Sequence, residues 1–240
     1  MRLVRGRAAT PEEDRAATAA MLSRAGDTGV EAFRAWTPHR QVAFGRRDTH
    51  ADGYDRVRRA ARDRGYTVVE RSVGGRAVAY TGSTVAFAHA LPLDDPRRGL
   101  SGRYEAGVDG VLVALHDLGV DAVRGEPAAS FCPGEHSVRL RDGGKVSGIA
   151  QRVQSNAALV AGCVLVDGRA DLVDILTPVY DTLGISFDPA SVGTLAAAGG
   201  PEAPGQVCRA LERAFLGGPE DAGVEVVSVD DVSLPDPTDA

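Results

Sequence analysis

Two periods of apolar spacing alternate along the chain and mark out most of its elements. Runs rich in β-branched residues predict strands at residues 1–8, 31–36, 41–45, 66–70, 77–80 and 84–90. Spacings of three and four predict helices. Thr10 followed by Pro11, with Glu13 three after the cap, predicts a helix running to about Arg24. From Asp52 to Arg64, Val57, Ala60 and Ala61 share one helical face, and Gly65 closes the segment. Tyr104 to Leu118 carries the clearest helical spacing. The second half predicts strands at 122–124, 136–140, 145–151 and 157–166, with Arg141-Asp142-Gly143-Gly144 as a hairpin turn, then helices at 172–183 and 202–216. Strands cluster between long helices without regular βαβ alternation. That order predicts an α+β fold with a mixed or antiparallel sheet flanked by helices. Residues 1–225 read as one domain, and the acidic, proline-bearing residues 226–240 as a disordered tail.

Composition narrows the possibilities. Of 240 residues 43% are apolar and only 5% aromatic, so the core must be built of valine, alanine and leucine. A net charge of −6 argues against a general nucleic-acid binder. No apolar run approaches the roughly eighteen residues of a membrane span, and Met1 to Arg7 lacks the apolar stretch of a signal peptide. We therefore expect a cytoplasmic protein with neither nucleic acid nor membrane as partner. Cys132, Cys163 and Cys208 are an odd set without CxxC spacing, so neither a disulfide framework nor a metal site is expected.

Lys145 is the single lysine among 27 basic residues. It presents a compact ammonium where guanidinium would present a broad planar fork. Its retention suggests a charge aimed at one point; a solvated hairpin residue is the alternative. Cys132, in Phe131-Cys132-Pro133-Gly134-Glu135-His136-Ser137, is either a buried small hydrophobe or a reactive thiol. His136 is placed to bond locally or to act as a base for that thiol. Cys163, Cys208 and His89 read as core residues.

Two ordered segments then carry a resemblance. Glu70-Arg71-Ser72-Val73-Gly74-Gly75-Arg76-Ala77-Val78-Ala79-Tyr80 and, about seventy residues on, Gly144-Lys145-Val146-Ser147-Gly148-Ile149-Ala150-Gln151-Arg152 resemble the signatures of the lipoate–protein ligase and octanoyltransferase family. The resemblance covers roughly Leu3 to Tyr180 and implies the biotin/lipoate-protein-ligase catalytic fold. It implies transfer of an octanoyl or lipoyl group to one lysine of an acceptor lipoyl domain or glycine-cleavage H protein. Catalysis would fall to Cys132 and Lys145. Substrate binding would fall to Arg71, Gly74, Gly75, Arg76, Ala77, Ser147 and Gly148.

Two mechanisms share that scaffold. A transferase takes octanoyl from acyl carrier protein through a cysteine thioester and needs no cofactor. A ligase activates free lipoate with ATP and magnesium, and in some cases relies on an accessory subunit. The position of Cys132 before Lys145, the Gly74-Gly75-Arg76 loop and the short C-terminal region favour the transferase. Tyr80-Thr81-Gly82 replaces the His-Asp pair that commonly follows the family's glycine loop, which leaves a third reading open: an acyl-binding relative without catalysis.

Overall fold

The capping signal at Thr10 forms as its residues predict. In the computed structural model, which describes residues 1–71, 75–217 and 223–232, Thr10 Oγ1 accepts from the Glu13 N–H and the Glu13 carboxylate accepts from the Thr10 N–H. Strand β1 (Arg2–Arg5) leads into helix α1 (Pro11–Thr28), which runs a turn past the predicted end until Gly29 closes it at φ 69°. Strands β2 (Ala32–Trp36) and β3 (Gln41–Phe44) follow. A short helix α2 (Arg46–Thr49), absent from the apolar pattern, precedes α3 (Tyr54–Asp63), where Val57 and Ala61 are buried as expected. Then come β4 (Thr67–Glu70), β5 (Val78–Tyr80), β6 (Thr84–Pro92) and α4 (Leu100–Asp117). The second half comprises β7 (Ala122–Arg124), β8 (Ser137–Leu140), β9 (Lys145–Val153), β10 (Ala157–Leu165), α5 (Arg169–Thr182), α6 (Pro204–Leu216) and β11 (Glu225–Ser228).

Eight strands form one mixed sheet in the order β11-β1-β2-β6-β10-β9-β8-β7. Strands β11, β1 and β2 run parallel, and the remaining pairs are antiparallel. A second sheet has the order β4-β3-β5. This is the α+β arrangement the sequence predicts. One face of the large sheet packs on α4 and α6 through Phe33, Phe87, Val111, Val164 and Leu211. The opposite face is split. Phe44, Phe131, Leu165, Leu176 and Tyr180 form one core beneath the small sheet and α5, while Val4, Met21, Ala25 and Ala90 form another beneath α1.

The predicted tail starts too early. Glu225–Ser228 pair with Arg2–Arg5, and Val229 and Val232 are buried against the α1 core. The Val-Glu-Val-Val run is an edge strand whose partner lies at the other end of the chain, so local composition hid it. Residues 233–240 lie outside the described residues.

One irregularity in the large sheet decides which way Lys145 faces. Val138 pairs with Ser147, yet the next residue, Arg139, pairs with Lys145, so Val146 is an extra residue on β9. In a regular strand positions 145 and 147 would share a face. The bulge puts them on opposite ones.

Candidate active site

Lys145 is 1% exposed, and the bulge turns it toward the face beneath the small sheet. Its Nζ donates to Glu126 Oε1 and Oε2 at 3.1 and 3.0 Å, to the Phe131 carbonyl at 3.1 Å and to the Cys132 carbonyl at 2.9 Å. The Phe131 ring centroid lies 5.0 Å from the ammonium. Glu126 also accepts from Ser130 Oγ. A buried ammonium needs a counter-charge and acceptors for its protons; here one carboxylate and two peptide carbonyls supply both.

Those two carbonyls belong to the loop that carries the thiol. Ala129 and Cys132 stand at φ 48° and 40°, in the left-handed region that side-chain-bearing residues rarely adopt. Each such residue costs on the order of 1–3 kcal/mol and persists where the surroundings hold it. Lys145 grips the loop from one side. On the other, the Tyr180 hydroxyl accepts from the Cys132 N–H at 2.6 Å and donates to the Ala77 carbonyl at 2.9 Å. Burial raises the Tyr180 pKa above the ordinary phenol value, so the hydroxyl keeps the proton it donates. The Asp188 N–H donates to the Ala129 carbonyl at 2.8 Å.

The Cys132 sulfur meets the glycine-rich segment. Sγ accepts from the Arg76 N–H at 3.3 Å. A β-carbon built on Gly75 (φ 96°) would lie 3.0 Å from Sγ, so the backbone must be bare there. One layer further out, a β-carbon on Gly45 would collide with the Gly75 carbonyl. Gly45, Gly75 and the thiol are thus stacked with no room for side chains between them.

The residues singled out in the sequence do not all meet. Cys132, Lys145, Gly75, Arg76 and Gly148 are brought together; a β-carbon on Gly148 would lie 3.2 Å from Lys145 Cε. Arg71 and Arg76 brace the loop. Arg71 Nη2 donates to the Arg76 carbonyl at 2.6 Å, and Arg76 Nη1 to the buried Asp48 at 3.2 Å. Ala77 and Ser147 are corrections. The Ala77 side chain is fully buried in the core beneath the small sheet. Ser147 lies opposite Val138 and Val164, which belong to the core against α4 and α6, so it faces away from the thiol. Gly74 lies outside the described residues.

His136 is no partner of the thiol, because its ring stacks on Tyr104 with centroids 3.9 Å apart. His89 sits among Phe33 and Phe215 and pairs with Glu31, as a core histidine should. Burial pushes the Cys163 and Cys208 thiols up to about 11, which fits their reading as core residues. The sequence reading missed Glu126, Tyr180 and Asp48. Among the described residues no group of three or more His, Cys, Asp and Glu side chains could hold a metal ion, and no helix is long and apolar enough to cross a membrane.

A bare-backbone loop thus lies against a lysine-braced cysteine at the edge of a mixed eight-stranded sheet. The chain belongs to the lipoyl protein ligase A/B catalytic domain family, which matches residues 11–215. An octanoyl-[GcvH]:protein N-octanoyltransferase of Geobacillus kaustophilus is 28% identical over 144 residues, covering 58% of this chain and 50% of that protein. Its counterpart in an Exiguobacterium species is 31% identical over 150 residues, covering 62% and 53%. The chain spans about half the length of the curated relatives it matches. A solved lipoate-protein ligase A bound with ATP superposes with a TM-score of 0.73 at 18% identity, covering 95% of this chain and 87% of that one. At that identity the likeness speaks for the fold.

Proposed function

We propose that this chain is an octanoyltransferase domain that carries the acyl group on Cys132 and passes it to a lysine of an acceptor lipoyl domain or of the glycine-cleavage H protein. The observation that carries the reading is the thiol itself. Held in a rare backbone conformation, it rests against Gly75 and the Arg76 N–H, on a loop gripped by the chain's single lysine. The name of the relatives places octanoyl on GcvH first, so octanoylated H protein joins octanoyl acyl carrier protein as a donor to test.

The chemistry follows from these positions. The sulfur attacks the acyl carbonyl, the thiol proton leaves on the donor's departing amine or thiol, and a Cys132 thioester forms. The Arg76 N–H is the donor placed to meet negative charge on the carbonyl oxygen in the tetrahedral stage. The acceptor's neutral amine then attacks the thioester. An amide bond forms, the carbon–sulfur bond breaks, and the amine's proton returns to sulfur. Lys145 and Tyr180 hold the loop through both steps. Small residues continue along the same sheet face, half-buried Gly148 beside buried Cys163 and exposed Ala150 beside half-buried Ala161, and support an apolar strip for an eight-carbon chain. We place the reaction in the cytoplasm, whose reducing conditions suit a working thiol.

The ATP-dependent route fits less well. The Glu126 carboxylate sits on the ammonium, so a triphosphate approaching Lys145 would meet a negative group where it needs a free cation. The test is a pair of incubations, one with octanoylated H protein or octanoyl acyl carrier protein, the other with lipoate, ATP and magnesium. Wild-type protein should gain one octanoyl mass from the carriers, and Cys132→Ala should gain none and transfer none. Lipoylation that needs ATP and survives Cys132→Ala would overturn the reading in favour of a ligase. No modification in either incubation would leave an acyl-binding relative.

A further inference from the structure

The arginines between positions 40 and 76 stand apart from the rest of the molecule. The chain has 33 acidic against 27 basic residues, yet this stretch holds ten arginines against five acids. Half of the ten are engaged within the fold. Arg40 pairs with Asp171, Arg58 with Asp55, Arg64 with Asp174 and Arg76 with Asp48, and Arg71 binds the Arg76 carbonyl. The other five, Arg46, Arg47, Arg56, Arg59 and Arg62, are exposed and form no ion pair with the described residues.

Their placement follows from the helices. With Val57 and Ala61 buried, Arg56, Arg59 and Arg62 fall at steps of three along the outer face of α3. Like charges at that spacing repel, by a few tenths of a kcal/mol per pair; Asp55 and Asp63, four positions either side of Arg59, offset part of that, and the helix still carries four arginines against two aspartates. Arg46 and Arg47 begin α2 directly after Gly45, whose backbone rests on Gly75, which in turn rests on the Cys132 sulfur. The positive surface therefore begins two contacts from the thiol, in a chain that is negative overall.

We infer that the outer face of α2 and α3 is the docking surface for an acidic carrier domain that delivers the acyl group to Cys132; this rests on the acyltransferase reading. A protein partner fits better than nucleic acid. The aromatic ring of α3, Tyr54, packs inward on Phe44, so the exposed face offers no base-stacking platform. A like-signed patch beside a reaction centre raises the encounter rate with a partner of opposite charge.

The test compares two donors on Arg56→Glu/Arg59→Glu/Arg62→Glu. Octanoylated H protein reads docking. The octanoyl thioester of N-acetylcysteamine, small and uncharged, reads the Cys132 chemistry alone. We expect the KM for octanoylated H protein to rise at least about tenfold while acyl-enzyme forms from the neutral thioester at the wild-type rate. The wild-type KM should also climb from roughly 50 to 300 mM NaCl, and the variant's should not. A variant KM within about twofold of wild type overturns the inference, as does a loss confined to binding of a single-stranded RNA. Failure of the wild type to react with the neutral thioester counts against the acyltransferase reading instead. Should the triple variant misfold, Arg59→Gln/Arg62→Gln removes two charges without adding any, and its KM should still rise several-fold.

Discussion

Replacing Glu126 with glutamine removes the one carboxylate that contacts the Lys145 ammonium among the described residues. The lysine is 1% exposed and keeps its two carbonyl acceptors. Breaking a fully buried pair from one side costs about 3–5 kcal/mol, because the remaining charge is stranded. Glu126 is 23% exposed, and glutamine retains one acceptor oxygen, so we expect about 2–3 kcal/mol. With a urea slope of about 2–3 kcal/mol per molar, the unfolding midpoint should fall by about 1 M. Far-ultraviolet circular dichroism and the fluorescence of the single tryptophan, Trp36, give two probes whose agreement tests two-state behaviour. Adding Lys145→Met to Glu126→Gln deletes the stranded ammonium and should restore most of the lost midpoint. A single variant within about 0.2 M of wild type, or a double variant less stable than the single one, would refute the account of how Lys145 is held.

Thiol reactivity gives a second check. Burial pushes the Cys163 and Cys208 thiols up to about 11, so at pH 8 almost none of either is thiolate and iodoacetamide should label both slowly, after Cys132; labelling of all three at one rate would contradict their reading as core residues. Stability should also fall in alkali. The folded Cys163 keeps its proton to about 11 while the unfolded chain releases it near 9.0, so its contribution is whole below pH 9 and is lost as pH rises through 11. Cys163→Ala should flatten that slope in urea titrations at pH 8 and 10.5 by about 2 kcal/mol. Tyr180→Phe keeps the ring but strands the Cys132 N–H. It should cost about 1–3 kcal/mol and slow acyl-enzyme formation at least tenfold, and unchanged kinetics would remove Tyr180 from the site's support.

How much of this was legible beforehand varies by element. The Thr10 cap, the buried face of α3 and the closeness of the Cys132 loop to Lys145 could be read because each depends on residues close in sequence or on an ordered motif. Glu126 carried no such mark; it is one carboxylate in a loop, given meaning by a lysine nineteen positions away. Tyr180 lies on α5, 48 positions beyond the amide it binds. Ser147 and Ala77 follow their motifs in sequence but not in space, because the bulge at Val146 turns Ser147 to the face opposite Lys145 and Ala77 is buried in the core beneath the small sheet. Strand β11 was lost in an acidic composition because its partner is β1.

The extra residue at Val146 has a consequence for reading any chain with this motif. Lys145 and Ser147 answer to different constraints, one to Glu126 and the loop carbonyls it holds, the other to the volume left between two aliphatic neighbours. Alanine or cysteine at 147 should pass unnoticed by the chemistry, whereas deleting one residue from the hairpin would turn the ammonium into the oily layer under α4. Tolerance at these two sites, two steps apart, should therefore look unrelated.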